Sequence, residues 1–337
     1  MSEAPQRRPA AGAGLRTAIR RFFPKATPPQ AVNFLLRRTA KRMLAELQEP
    51  RLLREALEAD AEHLFRLPPR ARFAEASIPR RGGAMPALWA TSGDGPAPDA
   101  APGEAPVILY LHGGAYIAGS PRTHRHLAAA LAGAIGGQAL VPDYRLAPEH
   151  RLPAALSDAR AAWDWLVRRG HRPGRIVVMG DSAGGGLAFA LLADLTADRE
   201  RLPGALVVFS PWVDLSGTAG SLARNAEAEA MLPAGRFEDL IGFCLGEGGP
   251  ARDDWRVSPL NARFRAPPPA MIFAGMTEIL LDDAIAIAEA MRRAGGDPEL
   301  ELRQALPHAW PVFLGYMREA DETVEKAGRF VRRVLKG

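Results

Sequence analysis

A single serine stands among small residues in the stretch "GDSAGGG", residues 180–186, between the strand-like run "RIVVMG" and the helix-like run "LAFALLADL". A G-x-S-x-G pattern in this context forces a sharp strand-turn-helix, because bulky residues beside the serine would clash with adjoining strands. A helix beginning at Ala183 also leaves backbone donors beside the serine. The pattern predicts that Ser182 is a nucleophile; the alternative is a plain glycine turn.

Two further glycines follow an early strand in "YLHGGAYIAGS", residues 110–120. Small residues here allow the backbone N–H groups of Gly113 and Gly114 to point into a cavity. Acyl transfer needs such donors, because the tetrahedral intermediate carries negative charge on the former carbonyl oxygen, and losing one donor costs about 10² to 10³ in rate. The stretch indicates an oxyanion hole; without the serine motif it would indicate only a turn.

A base and an acid are predicted at the ends of two late strands. His308 lies in "LPHAW", and Glu278, Asp282 and Asp283 lie in "GMTEILLDD". A catalytic imidazole needs a carboxylate on its far nitrogen to hold its tautomer and stabilise its charged form. Glu278 is closest to the strand end, whereas the two aspartates suit the start of the following helix. The order serine, acid, histidine is that of α/β-hydrolases.

Other reactive side chains favour structural roles. His124 and His126 could suggest a metal, but no third ligand is evident, so we predict no metal site and no cofactor. The single cysteine, Cys244, excludes an internal disulfide, suits a reducing cytoplasm and is predicted to be a packed thiol.

The elements that must position these residues alternate along the chain. Short apolar strands are separated by helices of 10 or more residues, which predicts an α/β fold with a mostly parallel sheet covered on both faces. The strands are expected in "VILYLHGG", "QALVPDYR", "RIVVMG", "GALVVFS", "AMIFAG" and "ELELRQA", after two earlier strands in "ARFAEASI" and "AMPALWA". Active-site loops of such sheets lie at the carboxyl ends of the strands.

The first 70 residues differ from this pattern. The triplet Thr27-Pro28-Pro29 is typical of a helix start with a hydroxyl cap. One amphipathic helix is predicted in "QAVNFLLRRTAKRMLAEL" and another in "LLREALEADAEHLF", each with one apolar stripe that must cover another surface. Residues 1–26 are expected to be flexible.

Charge is concentrated near the amino terminus. The formal net charge is +5, and before residue 46 the only acid is Glu3, against ten arginines and lysines. No nucleic-acid motif accompanies the charge, so we predict a solvated basic face, with weak docking to a membrane surface as the alternative. No secretory signal and no run of roughly 20 apolar residues is evident, which predicts a cytoplasmic protein.

From about residue 70 onward the sequence resembles the hormone-sensitive lipase family, the bacterial family IV esterases. The motifs that carry the resemblance are "HGGAY" (112–116), "DYRLAPEH" (143–150), "LPAALSDA" (152–159), "GDSAGG" (180–185), "SPWVDLS" (210–216), "SPLNA" (258–262), "EILLDD" (278–283) and "PHAW" (307–310). The resemblance implies an α/β-hydrolase core, residues 71–337, with a helical cap made from residues 1–70 and an insertion at 217–262.

The resemblance also implies residue roles. Ser182 would be the nucleophile and His308 the base, with an oxyanion hole formed by the N–H groups of Gly113, Gly114 and Ala183. His112 and Tyr116 would support the loop, Asp181 would pack beside the serine, and Asp143, Arg145 and Glu149 would brace the floor of the site.

Two departures from the family pattern affect the expectations. Most members carry aspartate where Glu278 stands. Glutamate is one methylene longer but can still orient the histidine, so we assign Glu278 as the acid, with Asp282 as the fallback. The cap stretch "NAEAEAMLPAG" also lacks the usual acidic marker, so the family pattern does not assign the residues of the acyl pocket. Candidates for its lining are Phe22, Phe23, Phe34, Met231, Leu232 and Phe243.

The predicted function is cleavage of small-molecule carboxylic esters, with short to medium acyl chains or lactones, by a carboxylesterase or lipase-like serine hydrolase. An amidase or transacylase would use the same residues, and a non-catalytic ligand receptor could use the same fold. The family also suggests a homodimer.

Overall fold

Five strands carry almost only apolar side chains and are buried along their whole length, as expected for strands covered on both faces. The computed structural model describes residues 26–336. Eight strands form one sheet in the order β1-β2-β4-β3-β5-β6-β7-β8, in which β2 runs antiparallel to β1 and β4 and all other pairs are parallel. The strands are β1 (Arg72–Arg80), β2 (Gly83–Thr91), β3 (Val107–Leu111), β4 (Gln138–Pro142), β5 (Ile176–Asp181), β6 (Ala205–Phe209), β7 (Ala270–Gly275) and β8 (Glu299–Arg303).

Helices cover both faces of this sheet and separate its parallel strands, which confirms the predicted α/β-hydrolase architecture. In chain order they are α1 (Pro29–Arg38), α2 (Ala40–Ala45), α3 (Pro50–Leu64), α4 (Pro121–Ile135), α5 (Ala154–Arg168), α6 (Ala183–Ala197), α7 (Gly220–Arg224), α8 (Phe237–Leu245), α9 (Leu281–Arg293) and α10 (Arg318–Val334). One apolar core packs α5, α6 and α9 against the sheet, and a second packs α4 and α10 against the opposite face.

The amino-terminal helices differ in detail from the prediction. The single helix expected over residues 30–47 is divided at Thr39, where α1 ends and the Thr39 hydroxyl donates to the Leu35 carbonyl at 2.8 Å. The predicted cap at Thr27 is wrong, because α1 begins at Pro29 with Pro28 as its N-cap and no side-chain cap bond. Local spacing could not show that Thr27 is instead buried, with its backbone N–H donating to the Tyr316 carbonyl at 2.8 Å.

Polar contacts connect the amino-terminal helices to the rest of the chain. Arg54 on α3 donates to the Ile117 carbonyl at 2.6 Å and pairs with Glu149 at 2.7 Å. Lys41 on α2 donates to the carbonyls of Ala226 and Glu229, in the region predicted as the cap insertion. The proposed cap boundaries, 1–70 and 217–262, stay predictions; within them the structure places α1–α3 and α7–α8.

The predictions for the basic amino terminus fall largely on residues 1–25, which lie outside the described part of the chain. Among residues 26–336, no helix combines the length and apolarity needed to span a membrane.

The first turn of α6 requires glycine for steric reasons. A Cβ on Gly184 would lie 2.0 Å from the Leu111 carbonyl oxygen and 2.4 Å from the His112 carbonyl oxygen. Both obstacles are backbone atoms at the end of β3, so no side chain can move aside. The helix therefore approaches the sheet at a distance that only glycine permits.

We expect Gly184→Ala to lower the free energy of unfolding by about 1–3 kcal/mol, the usual cost of overpacking. Gly174→Ala is the matched control, because a Cβ at this exposed glycine would meet no atom within 4 Å. Urea denaturation measures both variants. Equal stability of the two would contradict the steric account.

Candidate active site

The predicted nucleophile lies on a strained turn at the carboxyl end of β5. Ser182 is the N-cap of α6 and has φ 53° and ψ −122°, a conformation that costs a non-glycine residue of order 1–3 kcal/mol. Backbone hydrogen bonds hold it there: the Ser182 N–H donates to the Phe209 carbonyl at 2.8 Å, and the Ser182 carbonyl accepts from Trp212 at 2.9 Å. The turn thus presents the serine side chain above the end of the sheet.

His308 and Glu278 form a buried pair. The Nδ1 atom of His308 lies 2.7 Å from Oε2 of Glu278, and both residues are 1% exposed. Burial by itself favours the neutral imidazole, yet the hydrogen bond to Glu278 and nearby carboxylates hold the pKa of His308 above its ordinary value of 6.5. Burial raises the pKa of Glu278, while its hydrogen bonds with His308 and Ser210 oppose that shift.

The other nitrogen of the imidazole is available. Nε2 of His308 is buried and finds no hydrogen-bond partner among the described residues. His308 and Ser182 line the same cavity. A donated Nδ1–H leaves Nε2 as the acceptor of a neutral imidazole, which is the form needed to take a proton from a hydroxyl.

The structure selects between the candidate acids. Asp282, the fallback, accepts from the Ser221 N–H at 2.8 Å and pairs with Arg224 at 2.7 Å, so it anchors α7 and does not contact the imidazole. Asp283 accepts from the backbone N–H groups of Val213 and Asp214, and its pKa is raised to about 7, chiefly by burial. The fallback to Asp282 is therefore wrong, since its oxygens are used elsewhere.

The sequence pattern did not predict a role for Ser210. Its hydroxyl donates to Oε1 of Glu278 at 2.7 Å and accepts the N–H of Ala309 at 3.0 Å. Ser210 is fully buried just after β6. Its single hydroxyl oxygen therefore holds both Glu278 and the loop that carries His308. The motif "SPWVDLS" marked the position, but nothing in the spacing indicated this contact.

The oxyanion-hole prediction needs one correction. The N–H of Gly113 donates to Oδ1 of Asp181 at 3.1 Å, so this donor is already used and its assignment to the oxyanion hole is wrong. Gly114 and Ala115 also line the cavity, and their N–H groups donate to no acceptor provided by the described residues. Ala183 is the first residue of α6, so its N–H has no acceptor within the helix.

Asp181 anchors the glycine loop from beneath. Besides Gly113 it accepts the hydroxyl of Tyr110 at 2.7 Å, and its Oδ2 lies 3.6 Å from Nε2 of His124. Burial by itself would raise the pKa of Asp181, but His124 and the Tyr110 hydroxyl lower it below its ordinary value of 3.8. A buried carboxylate therefore ties the end of β5 to the loop after β3.

His112 and Tyr116 lie within this loop. The His112 ring stacks on Tyr144 with centroids 4.1 Å apart, its Nδ1 lies 2.9 Å from the Gly113 carbonyl oxygen, and burial lowers its pKa to about 3. Tyr116 is buried, and its carbonyl accepts the N–H of Ala147 at 2.8 Å. Both positions suit structural support of the loop.

The three charged residues of "DYRLAPEH" occupy separate environments. Arg145 binds Asp158 through two bonds of 2.9 Å, and Glu149 pairs with Arg54. Burial and the charge of Glu58 raise the pKa of Asp143 to about 6. Arg145 and Glu149 thus fasten the stretch to α5 and α3.

The remaining reactive side chains are held by separate partners. His126 contacts the Val312 carbonyl at 2.9 Å and stacks on Phe65, whereas His124 faces Asp181. Among the described residues, no group of three or more potential metal ligands occurs. The buried thiol of Cys244 donates to the Ala115 carbonyl at 3.2 Å, and burial raises its pKa, so it is packed as predicted.

A cavity of about 270 Å³ lies over Ser182 and His308. Its walls are almost entirely apolar and come from α1–α3, the region before and within α8, and the loops of the sheet. Of the candidate lining residues, Met231 and Leu232 contact it. Phe34 is 57% exposed and Phe243 packs against the core, so neither lines it, and Phe22 and Phe23 lie outside the described residues.

Known proteins are similar to this chain in sequence. The pattern of the alpha/beta hydrolase fold family matches residues 108–312. An acetyl-hydrolase of Streptomyces hygroscopicus is 37% identical over 67% of this chain and 75% of its own. The carboxylesterase/phospholipase LipF of Mycobacterium tuberculosis is 35% identical over 69% of this chain and 63% of its own.

A solved structure is similar over nearly the whole chain. An esterase from the bacterial hormone-sensitive lipase family superposes with a TM-score of 0.82 at 33% identity, covering 92% of this chain and 99% of the other. Fold and site together define an alpha/beta hydrolase. Within that class, the chain belongs to the bacterial hormone-sensitive lipase family of esterases.

The two hydrogen bonds of Ser210 should stabilise the folded protein. We expect Ser210→Ala to lower the free energy of unfolding by about 1–3 kcal/mol, because the buried N–H of Ala309 loses its acceptor and Glu278 loses a donor. Calorimetric melting would measure the loss. Ser157→Ala, at an exposed serine, should melt like the unchanged protein; an equal melting temperature for Ser210→Ala would show that the bridge contributes nothing.

Proposed function

We propose that the protein hydrolyses carboxylic esters through an acyl-enzyme formed on Ser182. The observation that carries the proposal is that His308 lines the same cavity as Ser182, is held by Glu278 through Nδ1, and has no partner for Nε2 among the described residues. In the first step His308 takes the hydroxyl proton as Ser182 Oγ attacks the ester carbonyl. Glu278 stabilises the resulting imidazolium.

The negative charge of the tetrahedral intermediate needs donors at its oxygen. The N–H groups of Gly114, Ala115 and Ala183 are the candidates, and donors fixed before the reaction lose little energy to reorganisation. As the intermediate collapses, His308 returns the proton to the leaving alkoxide, so an alcohol departs and the acyl group stays on Ser182. Water then attacks the acyl-enzyme while His308 takes its proton; the bond between Ser182 Oγ and the acyl carbon breaks, His308 returns the proton to Oγ, and the carboxylic acid leaves.

The cavity indicates the substrate class. An apolar pocket of about 270 Å³ favours a small to medium acyl or alkoxy group and offers few polar partners to a charged one. Esters with short to medium acyl chains, lactones included, fit this chemistry.

The assignment of Ser182 as the nucleophile is tested by removing its hydroxyl oxygen. Ser182→Ala should lower kcat for p-nitrophenyl acetate by at least about 10³-fold, because no acyl-enzyme can form. The unchanged protein should bind a fluorophosphonate covalently, and the variant should not. Labelling without ester turnover would favour the amidase or transacylase alternatives, and no labelling would favour a receptor.

The raised pKa of His308 predicts the pH profile. The reaction needs the neutral imidazole, so activity is lost as pH falls through the pKa, and a pKa above 6.5 places the acid-side midpoint of kcat/KM above pH 6.5. Glu278→Gln removes the charge that stabilises the imidazolium and should move that midpoint to lower pH. Initial rates across the acid range measure both; a midpoint well below pH 6.5 in the unchanged protein would contradict the assignment.

A further inference from the structure

A second buried carboxylate contacts the loop that carries the acid. Glu229, before α8, is 1% exposed. Its Oε1 accepts the backbone N–H groups of Met231 at 2.8 Å and Leu232 at 3.3 Å, and its Oε2 accepts the N–H of Ile279 at 3.2 Å. Three N–H donors aimed at two oxygens suit a carboxylate, which can only accept.

These three donors come from two sides of the cavity. Met231 and Leu232 line it from the cap side, and Ile279 lines it from the loop after β7. Ile279 directly follows Glu278, so a group that fixes its N–H also restrains the backbone of the acid. The Glu229 side chain therefore joins the cavity wall to the acid loop.

The surrounding contacts fix Glu229 in this place. Its carbonyl accepts Lys41 Nζ from α2 at 2.7 Å, and its N–H donates to the Asn225 carbonyl at 2.8 Å. The Asn225 side chain in turn donates to the carbonyls of Glu278 at 2.7 Å and Met276 at 3.1 Å. Asn225 and Glu229 thus bind the loop after β7 at two neighbouring points.

We propose that Glu229 is a positioning residue for ester hydrolysis: it holds the wall formed by Met231 and Leu232 against the acid loop at Ile279, and its carboxylate adds negative charge to the surroundings of the His308–Glu278 pair. This inference rests on the proposed function. Glu229 acts without contacting the reacting atoms, since the Glu229 oxygens accept from backbone N–H groups.

The Glu229 carboxylate contributes to the raised pKa of His308. The carboxylates that raise the pKa of His308 are Glu278 from the loop after β7, Glu229 from the insertion and Asp181 from the end of β5. Lys41 from α2 lies near Glu229, with Arg37 and Glu227 beside it, and His124 faces Asp181. Neutralising Glu229 alone removes one of three negative charges that stabilise the imidazolium, so the acid-side midpoint should move to lower pH.

The test compares Glu229→Gln with Glu227→Gln, an exposed glutamate two residues away. With p-nitrophenyl butyrate we expect Glu229→Gln to lower kcat/KM about tenfold, because its amide cannot accept the Ile279 N–H while serving the other two donors. Its acid-side midpoint should also fall, and Glu227→Gln should match the unchanged protein in both. An unmoved midpoint in Glu229→Gln overturns the proposal, whether or not activity falls, because a merely structural role would leave it unmoved.

A second variant covers the case in which Glu229→Gln does not fold. Glu229→Asp keeps the charge but is one methylene shorter, so it should retain the midpoint of the unchanged protein with a raised KM. An unchanged KM in this variant overturns the proposal. If the unchanged protein itself hydrolyses no ester, the proposed function fails, which is a distinct result.

Discussion

The close approach of α6 to the ends of β3 and β6 is the constraint on which the site depends. Gly184 lies against the carbonyls of Leu111 and His112, so the helix can begin directly beneath the loop that follows β3. Ser182 lies at the start of this helix with its positive φ, and Gly114 and Ala115 lie in the loop that follows β3. One steric condition therefore brings a hydroxyl and several backbone donors to the same end of the sheet.

Buried carboxylates then connect the loops around this point. Asp181 accepts from the glycine loop, and Glu278 accepts from Ser210 in the loop after β6. Glu229 accepts from the segment before α8 and from the loop after β7. A buried charge is tolerated only when its oxygens are satisfied, so each carboxylate requires its donors in place. The same requirement that limits where such charges can lie gives the site its fixed geometry.

The helices near the amino terminus line one side of the cavity. Their inner faces supply much of the apolar cavity wall, and their outer faces carry the arginines that the composition concentrates there. An apolar enclosure strengthens the interaction between His308 and Glu278, because few competing dipoles surround it. The cavity walls thus bear on both substrate fit and the proton affinity of the base.

The sequence by itself determined the alternation of strands and helices, the turn at Ser182 and the choice of His308, because these follow from local spacing, small residues and position at strand ends. Only the tertiary structure decided that Glu278 and not Asp282 meets the imidazole, that the N–H of Gly113 is taken by Asp181, and that Ser210 and Glu229 belong to the site. These contacts join residues between 30 and 99 positions apart. Hydrogen-bond partners at such separations depend on how the loops pack, and no local pattern in the chain records that packing.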